Sequence, residues 1–136
     1  MDLLSAIKVA ATGLRTQSGR MRIIAENLAN ADSTAKTPGG DPYRRRVPVV
    51  NSRFDDEIGA YMVRNARPKL DMRAFKVRYD PGHPAADEKG YVKTSNVNSL
   101  IETADLREAQ RSYEANINVI TSSRRMITRT LDILKA

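Results

Sequence analysis

Along the first thirty residues Leu4, Ile7, Ala11, Leu14, Ser18, Met21, Ala25 and Leu28 follow alternating steps of three and four. That is the heptad spacing that keeps side chains on one seam of a helix. A second set, Leu3, Ala10, Gln17, Ile24 and Ala31, recurs every seven residues beside it and widens the apolar face beyond what one partner helix covers. The same steps link Leu106, Gln110, Tyr113, Ile117, Ile120, Arg124, Ile127, Leu131 and Leu134 near the other end. Val119, Met126 and Ile133 form a flanking stripe, with Asn116, Ser123 and Thr130 between the two. Ser99 followed by Glu102 has the spacing of a capping box, so the last helix is predicted to begin near Asn98 or Ser99. Running almost to Ala136, it would be roughly 55 Å long at 1.5 Å per residue.

Pro38, Pro42, Pro48, Pro68, Pro81 and Pro84 all fall between these stretches, and a proline inside a helix removes a donor and clashes with the preceding turn. The middle is therefore predicted to be irregular. Phe75, Val77 and Tyr79 alternate with Lys76, Arg78 and Asp80, the signature of a strand, and Asp80-Pro81-Gly82 supplies a turn after it. Tyr43 to Val50 and Tyr61 to Arg64 are further strand candidates, the first demoted to an edge by Pro48. The predicted fold class is mainly α with a small β subdomain. Long heptad helices at 1–30 and 96–136 pack as a coiled-coil-like layer, and 31–95 form a loop and an irregular, β-rich middle. Gly13 and Gly19 each cost about 1 kcal/mol relative to alanine in a helix interior, so the first helix should be firm only when packed.

Composition narrows the chemistry. With 136 residues the chain has room for one domain. It contains no cysteine, which excludes a disulfide framework, a thiolate metal site and a cysteine nucleophile, and its single histidine, His83, excludes a multi-histidine metal centre. No catalytic residue, metal ligand or cofactor is expected. The formal charge of +7 admits nucleic acid, an anionic membrane surface or an acidic protein as partner. Its distribution is even: four basic against two acidic groups in residues 1–30, thirteen against nine in 31–95, and six against five in 96–136. No stretch approaches the roughly 20 apolar residues of a membrane span. Leu3 to Leu14 is moderately apolar but is interrupted by Lys8 and has no basic segment before it, so export would use an uncleaved signal.

The remaining clusters have plain readings. On a strand, alternation splits Arg44-Arg45-Arg46 between two faces with a single aromatic beside them, which suits a solvated edge or an acidic partner better than nucleic acid. His83 with Asp80, Asp87 and Glu88 sits in a loop held open by Pro81 and Pro84. Asp55-Asp56-Glu57 lacks the spaced oxygen ligands of a calcium loop and reads as a charged turn. Several apolar stripes on two helices point instead to assembly, because contacts between different faces of identical subunits propagate as an open helix. An intramolecular helical hairpin with a β insertion remains the simpler architecture. Ser18, Gln110 and Arg124 on the seams either set register between chains or meet water.

Taken together, Asn27-Leu28-Ala29-Asn30-Ala31-Asp32-Ser33-Thr34 and Pro42-Tyr43-Arg44-Arg45 resemble the FlgC family of bacterial flagellar basal-body rod proteins. So do Asp80-Pro81-Gly82-His83-Pro84-Ala85-Ala86-Asp87, Gly90-Tyr91-Val92, Asn96-Val97-Asn98 and Arg111-Ser112-Tyr113-Glu114-Ala115-Asn116, so that the likeness spans nearly the whole chain. Thr103 departs from the family, where a methionine often follows the glutamate. The resemblance implies a structural subunit of the proximal rod, assembling helically to pass torque from rotor to hook, with no enzyme activity. The terminal helices would form the inner axial layer and the middle an outer subdomain. Implied partners are copies of itself, other rod proteins, the adaptor joining rod to inner-membrane ring, and the flagellar type III export apparatus; nucleic acid is not among them. The implied location is the basal body, in the rod within the periplasm after export from the cytoplasm. The assembly interface expected from the stripes is Leu4, Ile7, Leu14, Met21 and Leu28 with Leu106, Tyr113, Ile117, Ile120, Ile127, Leu131 and Leu134. The family motif comprises Asn27, Leu28, Asn30, Asp32, Ser33, Thr34, Tyr43, Arg44, Asn96, Asn98, Tyr113 and Asn116. The turn from Asn30 to Thr34 reads as a helix cap, since asparagine tolerates the left-handed conformation that ends helices. The rival readings are a basic coiled-coil adaptor that binds nucleic acid and a soluble export chaperone that forms a closed oligomer.

Overall fold

The computed structural model describes residues 2–136. Two helices, α1 (Leu3–Ala29) and α2 (Ser99–Lys135), flank six short strands: β1 (Arg46–Val47), β2 (Val50–Asp55), β3 (Ala60–Asn65), β4 (Lys69–Leu70), β5 (Lys76–Tyr79) and β6 (Tyr91–Thr94). The mainly α class with a small β-rich middle is thus the observed one. All pairing is antiparallel, in three two-stranded ribbons, β1–β4, β2–β3 and β5–β6.

The helix ends differ from expectation in two ways. At the start of α2 the capping box does not form. Asn98 is the cap, its Oδ1 accepting the Leu100 and Ile101 amides at 3.1 and 3.4 Å, and Glu102 is turned to another use described below. At the end of α1 no left-handed residue is present, since only glycines among the described residues have positive φ. Asn30 closes the helix through its side chain instead, donating from Nδ2 to the Glu26 carbonyl at 2.8 Å while its own carbonyl accepts the Ser33 hydroxyl at 2.8 Å. The start of α1 is capped by Asp2, whose Oδ1 accepts the Ser5 amide at 2.7 Å. That hydrogen bond holds the Asp2 carboxyl below its ordinary pKa.

The chain divides into two units. One gathers the residues up to Met21, Val49–Ala66 and Arg107–Ala136. Here β2 and β3 form a six-pair hairpin closed by a turn from Asp55 to Ala60, and Asp55 Oδ1 accepts the Glu57 and Ile58 amides. The hairpin lies against α1: Thr12 Oγ1 accepts the Val63 amide at 3.4 Å and Asn65 Nδ2 donates to the Arg15 carbonyl at 3.3 Å. The two helix glycines explain themselves here. A Cβ at Gly13 would stand 2.7 Å from Asn116 Oδ1, and one at Gly19 would collide with the Asn65 amide. Both are points of close approach, so the helix gives up propensity to let other segments in.

The other unit gathers Arg22–Pro48 and Arg67–Leu106. Its apolar centre is small, Ala35, Ala85 and Val92 with Ala86 packed against them. Thr34 bridges to Thr94, which joins the segment leaving α1 to the β5–β6 ribbon. The strand predicted at Phe75 to Tyr79 forms as β5, and the Asp80 turn follows it, the His83 amide donating to the Asp80 carbonyl at 3.1 Å. The alternation does not mark a buried face, however. Every β5 residue is exposed, and Tyr79 stacks edge-on against Tyr91 with centroids 5.2 Å apart. Pro48 ends the first strand candidate early: β1 has two residues, and β2 starts beyond the proline.

Candidate assembly interface

Which faces of α1 and α2 the chain buries by itself decides what is left for others. On α2 the buried residues are Glu102, Ala109 and Ser123, with half-buried Asn116 completing steps of seven. On α1 they are Ala10, Thr16, Ile23, Ile24 and Asn27, so the second heptad set of the sequence supplies Ala10 and Ile24 to the inside. The face that α2 buries is thus small or polar, whereas α1 contributes Ile23 and Ile24, and Gln17 Oε1 of α1 is buried with no hydrogen-bond partner.

The larger apolar side chains lie elsewhere. Among those expected at an assembly interface, Leu4 is 61%, Ile117 41%, Leu131 50% and Leu134 77% exposed. Ile7, Leu14, Met21, Leu28, Leu106, Tyr113, Ile120 and Ile127 are half-buried. The flanking Val119, Met126 and Ile133 are exposed as well. An apolar cleft of about 610 Å³ opens between the first turns of α1, at Leu3, Leu4 and Ala6, and Ile127 of α2. A helix that hides its alanines and serines while presenting leucine and isoleucine has the reverse of the pattern of a self-sufficient bundle.

Most motif residues fall at a second place, where the exit of α1, the Tyr43–Arg46 segment and the start of α2 are locked together by polar side chains. Asn27 is fully buried with its amide saturated. Oδ1 accepts the Arg46 amide at 3.0 Å and the Tyr43 hydroxyl at 2.8 Å. Nδ2 donates to the Arg46 carbonyl at 2.8 Å and to Glu102 Oε2 at 3.0 Å. Burial raises the Tyr43 pKa above its ordinary value. Arg45, 13% exposed, donates from Nε to Glu102 Oε1 and pairs with Asp71 at 3.5 Å and Asp105 at 3.8 Å. Asn96 accepts the Arg45 amide at 2.8 Å and donates to the carbonyls of Asp71 and Arg73. Arg44 donates to the same two carbonyls and lies 4.2 Å over the Phe75 ring. Arg46 pairs with Glu26 at 3.0 Å.

Of the arginine triplet only Arg46 lies in a strand; Arg44 and Arg45 both reach Asp71, and Arg45 and Arg46 find their acidic partners in the same chain. Of the other motif residues, Asn98 caps α2, Ser33 and Thr34 shape the exit of α1, and Asn116 donates to the Ser112 carbonyl. Leu28 and Tyr113 are half-buried, and Asp32 is exposed. Sequence reasoning leaves Glu102, Asp71 and Asp105 outside the candidate residues. Their spacing from Arg45 follows no local period, so only the fold brings them together.

Asp71 ties the cluster to pH. Side-chain and backbone hydrogen bonds from Arg73, with the charge of Arg45 beside them, hold its carboxyl well below the ordinary carboxylate range. A depressed folded-state pKa contributes stability that is complete above the unfolded value, about pH 4, and is lost as acid titrates the folded group. Urea unfolding from pH 7 down to pH 3 should therefore show the wild type losing its advantage over Asp71→Asn on the acid side of about pH 4. Parallel curves for the two proteins throughout would remove Asp71 from the stabilising cluster.

The rest of the described chain offers little chemistry. His83 Nδ1 accepts the Ala85 amide at 3.0 Å, and Asp87 Oδ1 accepts the Lys89 and Tyr91 amides, so both serve the turn. Among the described residues no helix is long and apolar enough to cross a membrane.

Relatives match the sequence end to end. Residues 7–35 match the family described as flagella basal body rod protein, and residues 88–133 match the flagellar basal body rod FlgEFG protein C-terminal family. The chain is 51% identical over 137 aligned positions to flagellar basal-body rod protein FlgC of Agrobacterium fabrum, covering 100% of this chain and 99% of that protein. It is 42% identical to the FlgC of Borreliella burgdorferi, with 99% of each covered. The FlgC of Salmonella typhimurium is 38% identical, with 98% of each covered. The matched segments hold the motif asparagines and most of both apolar stripes, and with identity of this order over the full length the chain belongs to the flagellar basal-body rod protein FlgC family.

Proposed function

We propose that the chain is a structural subunit of the proximal rod, assembling helically with copies of itself and with other rod proteins to carry torque from the rotor toward the hook. The observation that carries this reading is the inverted burial of α2, with Glu102, Ala109 and Ser123 within the subunit and Ile117, Leu131 and Leu134 exposed. Two helices with several open stripes can meet different neighbours on different sides, which suits an axial layer inside a tube. The expected interface is the set of stripe residues from Leu4 to Leu28 and from Leu106 to Leu134. The organisation that goes with it is an axial layer from 1–30 and 96–136 around which 31–95 forms the outer part. The role is structural rather than catalytic.

The same reading extends to neighbours and route. The adaptor between rod and inner-membrane ring and the flagellar export apparatus are the further partners, and the periplasmic part of the basal body is the place of assembly. Export uses uncleaved information near the N-terminus. A subunit that passes a narrow channel gains from helices that are weak alone, which Gly13 and Gly19 and the small seam residues favour.

Immunodetection in purified basal bodies tests the reading, comparing intact structures with preparations from which the rod has been dissociated. The chain is expected in the first and lost in the second. Its absence from intact, epitope-accessible basal bodies, with abundant protein in the cytoplasm, would overturn the rod reading in favour of a chaperone or a nucleic-acid adaptor.

A further inference from the structure

We propose that the free end of α2 receives the tip of the β2–β3 hairpin of a second copy of this chain, a contact that rests on the rod reading above. From Thr128 to Ala136 every residue is exposed, while Ile127, just before them, is half-buried and lines the cleft with Leu3, Leu4 and Ala6. This uncovered stretch of helix is roughly 12 Å long at 1.5 Å per residue. This end carries Arg124, Arg125, Arg129 and Lys135 against the single acid Asp132, with Leu131 and Leu134 exposed between them. None of these four cations forms an ion pair among the described residues.

The hairpin tip is the complement in both respects. Asp55, Asp56 and Glu57 follow one another at the turn, and no cation of the described chain pairs with them. Beside them Phe54 and Tyr61 meet edge-on at 5.2 Å, both exposed, an aromatic pair with no cover. Arg53 and Arg64, opposite Met62 and Asn51 on the strands, line the same hollow as the three carboxylates without forming an ion pair with them, so the tip keeps an acidic excess of one. Three carboxylates beside two rings match three arginines beside two leucines, since guanidinium and carboxylate pair bidentately and the apolar parts cover each other. The occupant is a second copy because the chain carries both halves of the match and pairs neither with the other. Such a contact joins different faces of the two copies, the heterologous kind from which a helical tube is built when the rotation does not close into a ring.

The chain has no cysteine, so single cysteines report cleanly. Two differently tagged copies, one with Glu57→Cys and one with Arg125→Cys, are co-expressed, basal bodies are isolated, and a short bismaleimide is added. A cross-linked species carrying both tags is expected, and it is lost when either cysteine is omitted. Both copies present and modifiable in basal bodies with no such species would overturn the proposal while leaving the rod reading intact. So would cross-links only to another rod protein. Absence of the unsubstituted chain from basal bodies would instead strike the rod reading itself. If a cysteine variant does not assemble, charge reversal decides between the outcomes. Glu57→Arg and Arg125→Glu should each lower the motile fraction, and the two combined in one chain should restore it; no restoration overturns the proposal.

Discussion

Arg45→Met is expected to destabilise the chain by about 3–5 kcal/mol, the usual result of removing one partner from a buried ion pair. Glu102 is fully buried, and Arg45 and Asn27 are the two side chains that satisfy it. A methionine of similar volume fills the space and leaves the carboxylate with the Asn27 amide as its remaining donor, an uncompensated charge out of reach of water. The loss should spread to Asn27, because its Nδ2 shares that carboxylate while its other atoms hold Arg46 and Tyr43. Urea unfolding of the purified chain reads the effect. A companion variant makes the cause explicit: Arg45→Met with Glu102→Leu removes both charges and should recover much of the loss. A cost below about 1 kcal/mol for Arg45→Met would mean that the network decorates the fold without holding it.

Leu131→Asp and Ile117→Asp should do the opposite, leaving the subunit intact and abolishing motility. Both positions are exposed in the subunit, and substitutions at such sites usually change stability by no more than about 0.5 kcal/mol. Once assembled, the same carboxylate is buried against a neighbouring subunit without a partner, and the cost of several kcal/mol recurs at every copy. Thermal unfolding by circular dichroism should therefore superimpose on wild type, while swimming in soft agar and rod recovery fall to the level of a strain lacking the protein. Wild-type swimming by either variant would remove that stripe from the interface. The self-buried face supplies the contrast. At Ala109, fully buried, aspartate should unfold the subunit before assembly is at issue.

How much of the structure is legible in the sequence follows from the range of the interactions. Both helices are legible because their evidence is local: steps of three and four from Leu4 to Leu28 and from Leu106 to Leu134, with no proline inside either stretch. What those stripes face is not. The face that α2 buries consists of Glu102, Ala109, Asn116 and Ser123, whose period of seven is as regular but whose small and polar side chains carry no hydrophobic signal. β2 gives no sign of itself because Asn51, Ser52 and Arg53 offer a strand no apolar alternation; it is defined by pairing with β3. Glu102 has the spacing of a capping residue because Ser99 stands three residues before it. The fold takes that glutamate for Arg45, 57 residues away, and leaves the cap to Asn98.

The uncovered end of α2 bears on how a growing structure knows its direction. A subunit finished alike at both ends could be added either way up. This one has a sheathed part, where Ser123 is buried, and a bare tip beyond Ile127. Any array that repeats one such contact is polar, with tips all pointing the same way. One terminus of the array then offers bare tips and the other offers the faces that accept them. The two ends differ chemically, so elongation at one and anchorage at the other can be assigned to different partners without any change in the subunit.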